Sequence, residues 1–192
     1  MMELEYIEQR IKEMLTPCRF EHSLGVREAA VHLANIYGAD RDKAALAGLV
    51  HDCAKDLGYQ QMKELMIKYG MELDDVSRRE PSLIHGPLGA YIAHDMFGIN
   101  DEEVLNAIRY HTTGRPGMGL LEQIVYLADY IEPNRDFPGV DKLREVSEKD
   151  LNKALLMAFD NTIMRVISRK RLLHPNTIFA RNDFIMHLSP KE

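Results

Sequence analysis

Apolar residues recur at helical spacing along almost the whole chain, and the breaks between stripes carry the residues that start and stop helices. Leu4, Ile7, Ile11 and Met14 or Leu15 form one stripe across Glu3 to Leu15. Thr16-Pro17 then supplies a cap and a first-turn proline for a helix running to Tyr37 and stopping at Gly38. His22 lies near its beginning, and Val26, Ala29, Ala30 and Leu33 are its expected buried face. Asp40 caps a third helix from Arg41 to about His51, which puts His51-Asp52 at a C-terminal end. Gln60 to Tyr69 reads as a helix ended by Gly70, and Met71 to Ser82 as a charged loop with short helical turns. His85 stands at the entrance of a helix to Phe97 closed by Gly98, and Asn100 or Asp101 caps Glu102 to His111. The stretch Thr112-Thr113-Gly114-Arg115-Pro116-Gly117 cannot stay helical. Gly119 to Ile131 follows, with Asp129 near its end, then a rigid polar link from Glu132 to Gly139 and a short helix from Val140 to Val146. Ser147 to Asp150 opens a long helix to about Leu173, and Pro175 starts a last one to about Leu188.

No internal repeat interrupts this series, so the expected fold is all-α, one helical bundle spanning residues 1–192. Its core would cover about 16–135, with C-terminal helices over about 140–188 packed on it. Leu151 to Ile167 presents a helical face that serves either as core or as a dimer seam, so a homodimer is compatible with the pattern.

Composition changes this picture little and removes several functions. Hydrophobic residues make up 45% and charged residues 28% of the 192, enough for a sizeable core. The net charge of −6 argues against a general grip on nucleic acid or an anionic membrane surface, but not against a small anionic substrate. The two cysteines, Cys18 and Cys53, form no C-x-x-C pair, which argues against a disulfide framework or a structural zinc site. The first fifteen residues are amphipathic and acid-containing, unlike a signal peptide, and no apolar run approaches about 18 residues. A cytoplasmic protein with reduced thiols is the expectation.

Candidate chemistry centres on the dipeptide His51-Asp52. Neighbouring residues on a helix do not share a face, so the pair offers ligands in two directions. The two oxygens of a carboxylate can bridge two ions while the imidazole holds one. His22, His85, His111 and Asp129 are the expected partners, because each stands at or near a helix end or mouth, where side chains from several helices can share one pocket. Nitrogen and oxygen donors in this ratio suit Fe, Mn, Zn, Co or Ni; so few carboxylates are poor for Ca and unusual for Mg. Any one of these histidines alone is more often a surface or satisfied core residue. His32, His94, His174 and His187 fit that description, and the eleven methionines are core filler.

The ordered set is more specific. Arg19-Phe20-Glu21-His22-Ser23-Leu24-Gly25-Val26, His51-Asp52-Cys53-Ala54-Lys55, His85-Gly86-Pro87-Leu88-Gly89-Ala90, Tyr110-His111-Thr112-Thr113-Gly114 and Leu127-Ala128-Asp129-Tyr130-Ile131-Glu132-Pro133-Asn134-Arg135 resemble the HD-domain superfamily of metal-dependent phosphohydrolases. More narrowly they resemble its YqeK-like branch, the bacterial symmetrical bis(5′-nucleosyl)-tetraphosphatases. The resemblance implies two divalent ions, with His22, His51, Asp52 and Asp129 holding one, Asp52, His85 and His111 the other, and Asp52 bridging. Iron is the metal implied, with Mn, Co, Ni or Zn also compatible. Two ions about 3.5–4 Å apart would hold a hydroxide and clamp the phosphoryl oxygens of an in-line displacement. Diadenosine tetraphosphate would then be cut at its middle bridge to two ADP, with ADP or GDP as product ligand and no nucleic acid or membrane partner.

Lys55, a turn beyond Asp52, is the candidate phosphate ligand or general acid. Arg19, Thr112, Arg115, Asn134 and Arg135 are candidate substrate contacts, the two later arginines through bidentate forks to distal phosphates. Each also has an ordinary explanation as a solvated, capping or ion-paired residue. The charged stretch from Met71 to Glu80 is a solvated loop or, alternatively, a lid. Three rival readings stay open: another nucleotide substrate (a nucleotidase, or a dNTP or cyclic-nucleotide phosphohydrolase), a nucleotide-binding regulatory module without turnover, and a di-iron oxygenase built on a similar ligand set.

Overall fold

The computed structural model describes residues 3–188; residues 1–2 and 189–192 of the expected 1–192 domain lie outside them. Among the described residues there are eleven α-helices, one 3₁₀ turn and no strand. The helices are α1 (Leu4–Met14), α2 (Pro17–Tyr37), α3 (Arg41–Val50), α4 (Tyr59–Lys68), α5 (Asp75–Arg79), α6 (His85–Phe97), α7 (Glu102–Tyr110), α8 (Leu120–Ile131), α9 (Val140–Ser147), α10 (Leu151–Ser168) and α11 (Pro175–Leu188). Most boundaries fall where local chemistry puts them. The side chains of Asp40, Asp74 and Asp101 accept from backbone N–H groups of the first turns they precede. Gly38 and Gly98 end α2 and α6 in the left-handed conformation.

Two local expectations are corrected. Thr16 does not cap α2 with its side chain; its N–H and hydroxyl both donate to Asp56 Oδ2, at 2.8 and 2.9 Å, tying the start of α2 to the segment after Asp52. The long helix stops at Ser168 rather than about Leu173. Lys170 turns left-handed at φ 53°, and Arg171 N–H returns to Val166 O at 3.2 Å while the Arg171 guanidinium pairs with Glu80. That tertiary ion pair holds a non-glycine residue where local preference would not.

The helix that organises the site is α8. It packs on α2, α3 and α7, and it also meets α9 and α10. Ile124, Val125, Leu127 and Ala128 are fully enclosed along it. Leu33, Leu49, Leu88 and Ile108 bring α2, α3, α6 and α7 into the same apolar cluster, which also takes in Phe159 and Ala180 from the C-terminal helices. Two helix glycines mark where ligand-bearing helices approach most closely. A Cβ on Gly48 of α3 would lie 2.9 Å from the Arg27 backbone of α2, and one on Gly86 of α6 would lie 2.9 Å from Arg109 O on α7. Cys53 is enclosed, and burial pushes its thiol up; Cys18 is exposed. Among the described residues no helix is long and apolar enough to cross a membrane.

Candidate metal centre

The six expected ligands, spread over 107 positions between His22 and Asp129, converge at one end of the bundle. His22 comes from α2, His51 and Asp52 from the C-terminal end of α3, His85 from the start of α6, His111 from the end of α7, and Asp129 from the last turn of α8. Neighbouring imidazoles are 4.9–5.3 Å apart between ring centroids. His22, His51, Asp52, His85 and His111 are all buried, and the Asp129 side chain is one-fifth exposed.

Orientation is set by the opposite ring nitrogen. Nδ1 of His51, His85 and His111 each lies 2.7 Å from the backbone carbonyl three residues earlier, those of Gly48, Ser82 and Ile108. A carbonyl can only accept, so Nδ1 carries a proton, and in the neutral form of each ring Nε2 is the nitrogen with the lone pair. His22 reaches the same state differently: its Nδ1 lies 3.1 Å from Glu132 Oε1.

The Nε2 atoms all face inward, towards one another and towards carboxylate oxygens. His85 Nε2 and His111 Nε2 are 3.0 Å apart, and they lie 3.1 and 3.5 Å from Asp52 Oδ1. His22 Nε2 and His51 Nε2 lie 3.8 and 3.5 Å from Asp52 Oδ2, and His22 Nε2 is 3.0 Å from Asp129 Oδ1. Neither His22 Nε2 nor His51 Nε2 has a hydrogen-bond partner, although both are buried. An unsatisfied buried polar atom costs about 1–3 kcal/mol. Lone pairs facing lone pairs and carboxylates are costly unless a cation lies between them. His22, His51 and Asp129 form one set whose donor atoms lie within 4.8 Å of one another, and His51, Asp52 and His111 form a second. The donor set therefore fits divalent metal.

Charge around the cluster follows the same logic. Burial would raise the Asp52 carboxyl, but the imidazoles of His51, His111 and His85 outweigh it and hold the group well below the carboxylate range. Asp129 is likewise held down, against its burial, by His22 and Arg135. Burial pushes the His85 imidazole down to about 4 against the pull of Asp52, which keeps it neutral and able to ligate. Arg19 donates to Asp52 Oδ2 at 2.9 Å, and Arg135 donates to both the carboxylate and the backbone oxygen of Asp129. Lys55 Nζ sits 3.2 Å from His85 Nε2, and burial lowers its pKa.

The remaining expected contacts separate. Thr112 lines the cleft beside His111, while its hydroxyl oxygen is buried without a hydrogen-bond partner. Arg115 makes a bidentate pair with Glu122 at 2.6 and 2.7 Å and lies over the Tyr110 ring, so its fork is engaged within the protein. Asn134 is exposed in a groove beside Glu21 and Glu28. The stretch from Met71 to Glu80 forms α5 and its flanks, tied to the C-terminal part through Glu80–Arg171 and Asp74–His174.

Glu132 was legible only as one letter of the final motif, yet it is 2% exposed and positions His22. Its second oxygen accepts from Asn134 N–H at 2.7 Å, and Gly25 lacks the Cβ that would come within 2.5 Å of that oxygen. A carboxylate aiming a ligand histidine raises its basicity and fixes its tautomer. Glu132→Gln is expected to weaken metal affinity by about 10-fold or more, read by competition with a chromophoric chelator. Unchanged affinity would show that Glu132 is packing alone.

Known proteins resemble this chain over most of its length. Residues 19–134 match the model of the HD domain family. The chain is 44% identical over 178 residues to a symmetrical bis(5′-nucleosyl)-tetraphosphatase of Halalkalibacterium halodurans, covering 93% of this chain and 95% of that one. It is 43% identical to a protein of the same description from Bacillus subtilis, covering 90% and 92%. A crystal structure from Clostridium acetobutylicum, of an HD superfamily hydrolase described as involved in NAD metabolism, superposes with a TM-score of 0.93 at 52% identity, over 97% of this chain and 99% of that one.

Proposed function

This chain belongs to the HD domain family, and we propose that it is a metal-dependent phosphohydrolase that cuts dinucleoside tetraphosphates symmetrically, giving two ADP from diadenosine tetraphosphate. The observation that carries this reading is the inward convergence of four imidazole Nε2 atoms on two carboxylates, two of the four buried without a partner. His22, His51, Asp52 and Asp129 would hold one divalent ion and Asp52, His85 and His111 a second, with iron the first candidate. Bound cations would supply Lewis-acid polarisation of phosphoryl oxygens and would lower the pKa of water.

The protein's own groups do the rest. Asp52 has one oxygen towards His85 and His111 and the other towards Arg19, His22 and His51, so a single carboxylate reaches both halves of the cluster. Water adds to one central phosphorus, the middle bridging P–O bond breaks, and the leaving diphosphate keeps the electron pair. Lys55 is placed beside His85 to stabilise the charge that develops on the leaving diphosphate, or to hand it a proton. Arg19 and Arg135, both part-exposed, turn from the carboxylates they now hold towards the phosphates of the substrate.

Incubating metal-replete protein with diadenosine tetraphosphate and resolving the products by chromatography tests the assignment. ADP alone is expected. AMP plus ATP, or no reaction, would count against it. The description of the Clostridium neighbour makes NAD the control substrate, and preferential turnover of NAD would also overturn the assignment.

A further inference from the structure

Two cavities, of about 200 and 310 Å³, one reaching the cluster itself and the other reaching Lys55 beside it, share Thr112, Arg165 and Val166 as a common wall. Their chemistry differs. The first reaches His111 and Asp129 and has an aromatic side: Tyr130 meets Phe137 edge-to-face at 5.5 Å and lies at 21° to Tyr126. Thr162 Oγ1 fixes that side by reaching the hydroxyls of Tyr126 and Tyr130, both at 3.2 Å. The second cavity is cationic. Lys55, Arg165, Arg169 and Arg171 line it, and its one acid, Glu80, is already paired with Arg171.

Thr162, Arg165 and Val166 stand at i, i+3 and i+4 on α10, and Arg169, the residue that caps its C-terminus, follows at i+7 beside the same face. Arg165 and Arg169 are exposed, have no carboxylate partner among the described residues, and repel each other as a like-charged i, i+4 pair. On a protein of net charge −6, two unpaired arginines over a half-buried lysine make a local positive field that structural needs do not explain.

We propose that this face of α10 is the substrate-selecting wall of the site, with separate seats for the two ends of a two-ended nucleotide. The aromatic cavity takes the base of one half, and the cationic cavity takes the far half with its phosphates. Arg165, at the junction, serves both halves; Arg169 serves only the far one. The proposal rests on the phosphohydrolase reading above and extends it to how a dinucleotide is told from a mononucleotide.

Steady-state kinetics on the metal-replete full chain, with diadenosine tetraphosphate as substrate and ADP as competing product, tests the division. Losing one charged contact is worth about a tenfold change in affinity. Arg165→Gln should raise both KM and the ADP inhibition constant about tenfold, with kcat within about threefold, on that same estimate. ADP, carrying one base, takes the aromatic seat against the cluster, so Arg169→Gln should raise KM by a similar factor and leave ADP inhibition unchanged. Arg41→Gln, which removes an equal charge from an exposed site outside both cavities, should change neither. Both test positions are exposed, so thermal midpoints should stay at the parent value. If the parent protein makes ADP but neither cleft variant alters KM, the proposal falls and the hydrolase reading stands. Equal effects of Arg169→Gln on ADP and on substrate would overturn the two-seat division, and an effect of Arg41→Gln would reduce the wall to a diffuse field. A parent protein that makes no ADP removes both readings together.

Discussion

Asp52→Asn is expected to lower kcat for diadenosine tetraphosphate by at least about 10³-fold while leaving the helical circular-dichroism spectrum intact. The factor corresponds to about 4 kcal/mol, the scale of transition-state charge stabilisation that metal ions contribute. The carboxylate at position 52 lies within 4 Å of all four Nε2 atoms. Asparagine keeps the shape and one oxygen, but it presents an NH₂ group to lone pairs that need a cation. Metal content should fall with activity, below that of the parent protein. If Asp52→Asn kept kcat within tenfold of the parent with full metal occupancy, the carboxylate would not be a shared ligand.

Phe159→Ala is expected to cost about 3–5 kcal/mol of stability, the usual range for emptying a buried aromatic site. For a chain of this length that is a fall in Tm of about 6–20 °C. The ring is fully enclosed, stacks on Tyr126 at a centroid distance of 4.4 Å and leans on Phe184 at 5.7 Å. The left-handed turn at Gly114 also depends on it: a Cβ there would sit 2.7 Å from the ring, so the two fill each other's space. Because Phe159 lies behind the aromatic cavity and ligates nothing, the folded variant should keep its metal. Differential scanning calorimetry with metal analysis separates the two effects. A loss of metal at unchanged Tm would place Phe159 in the centre rather than behind it.

The helical series and the ligand set were readable along the chain for different reasons. Aspartates at 40 and 101 and glycines at 38 and 98 act within one turn of themselves, so the helices they bound can be drawn from local chemistry. His22, His51-Asp52, His85, His111 and Asp129 stood out as a motif order, and their place at helix ends hinted at a shared pocket. What could not be read needed distant partners. The end of α10 at Ser168 depends on Arg171 meeting Glu80, 91 residues earlier in the chain. Thr16 prefers Asp56 to its own helix, and Arg115 prefers Glu122 to solvent, because folding brings each acid closer than any alternative. Glu132 lacked any periodic signal; its role exists only because Gly25 lets α2 lie against it. Arg165 and Arg169 look like ordinary solvated helix positions until the packing of α10 turns them over the cleft.

The most direct test is an anomalous-difference map from crystals grown with Mn(II) or Fe(II). Two peaks are expected, one within ligating distance of His22, His51 and Asp129, the other of His85 and His111, with Asp52 touching both. A map without peaks, or with one peak that leaves Asp52 bound only to Arg19, would contradict the account.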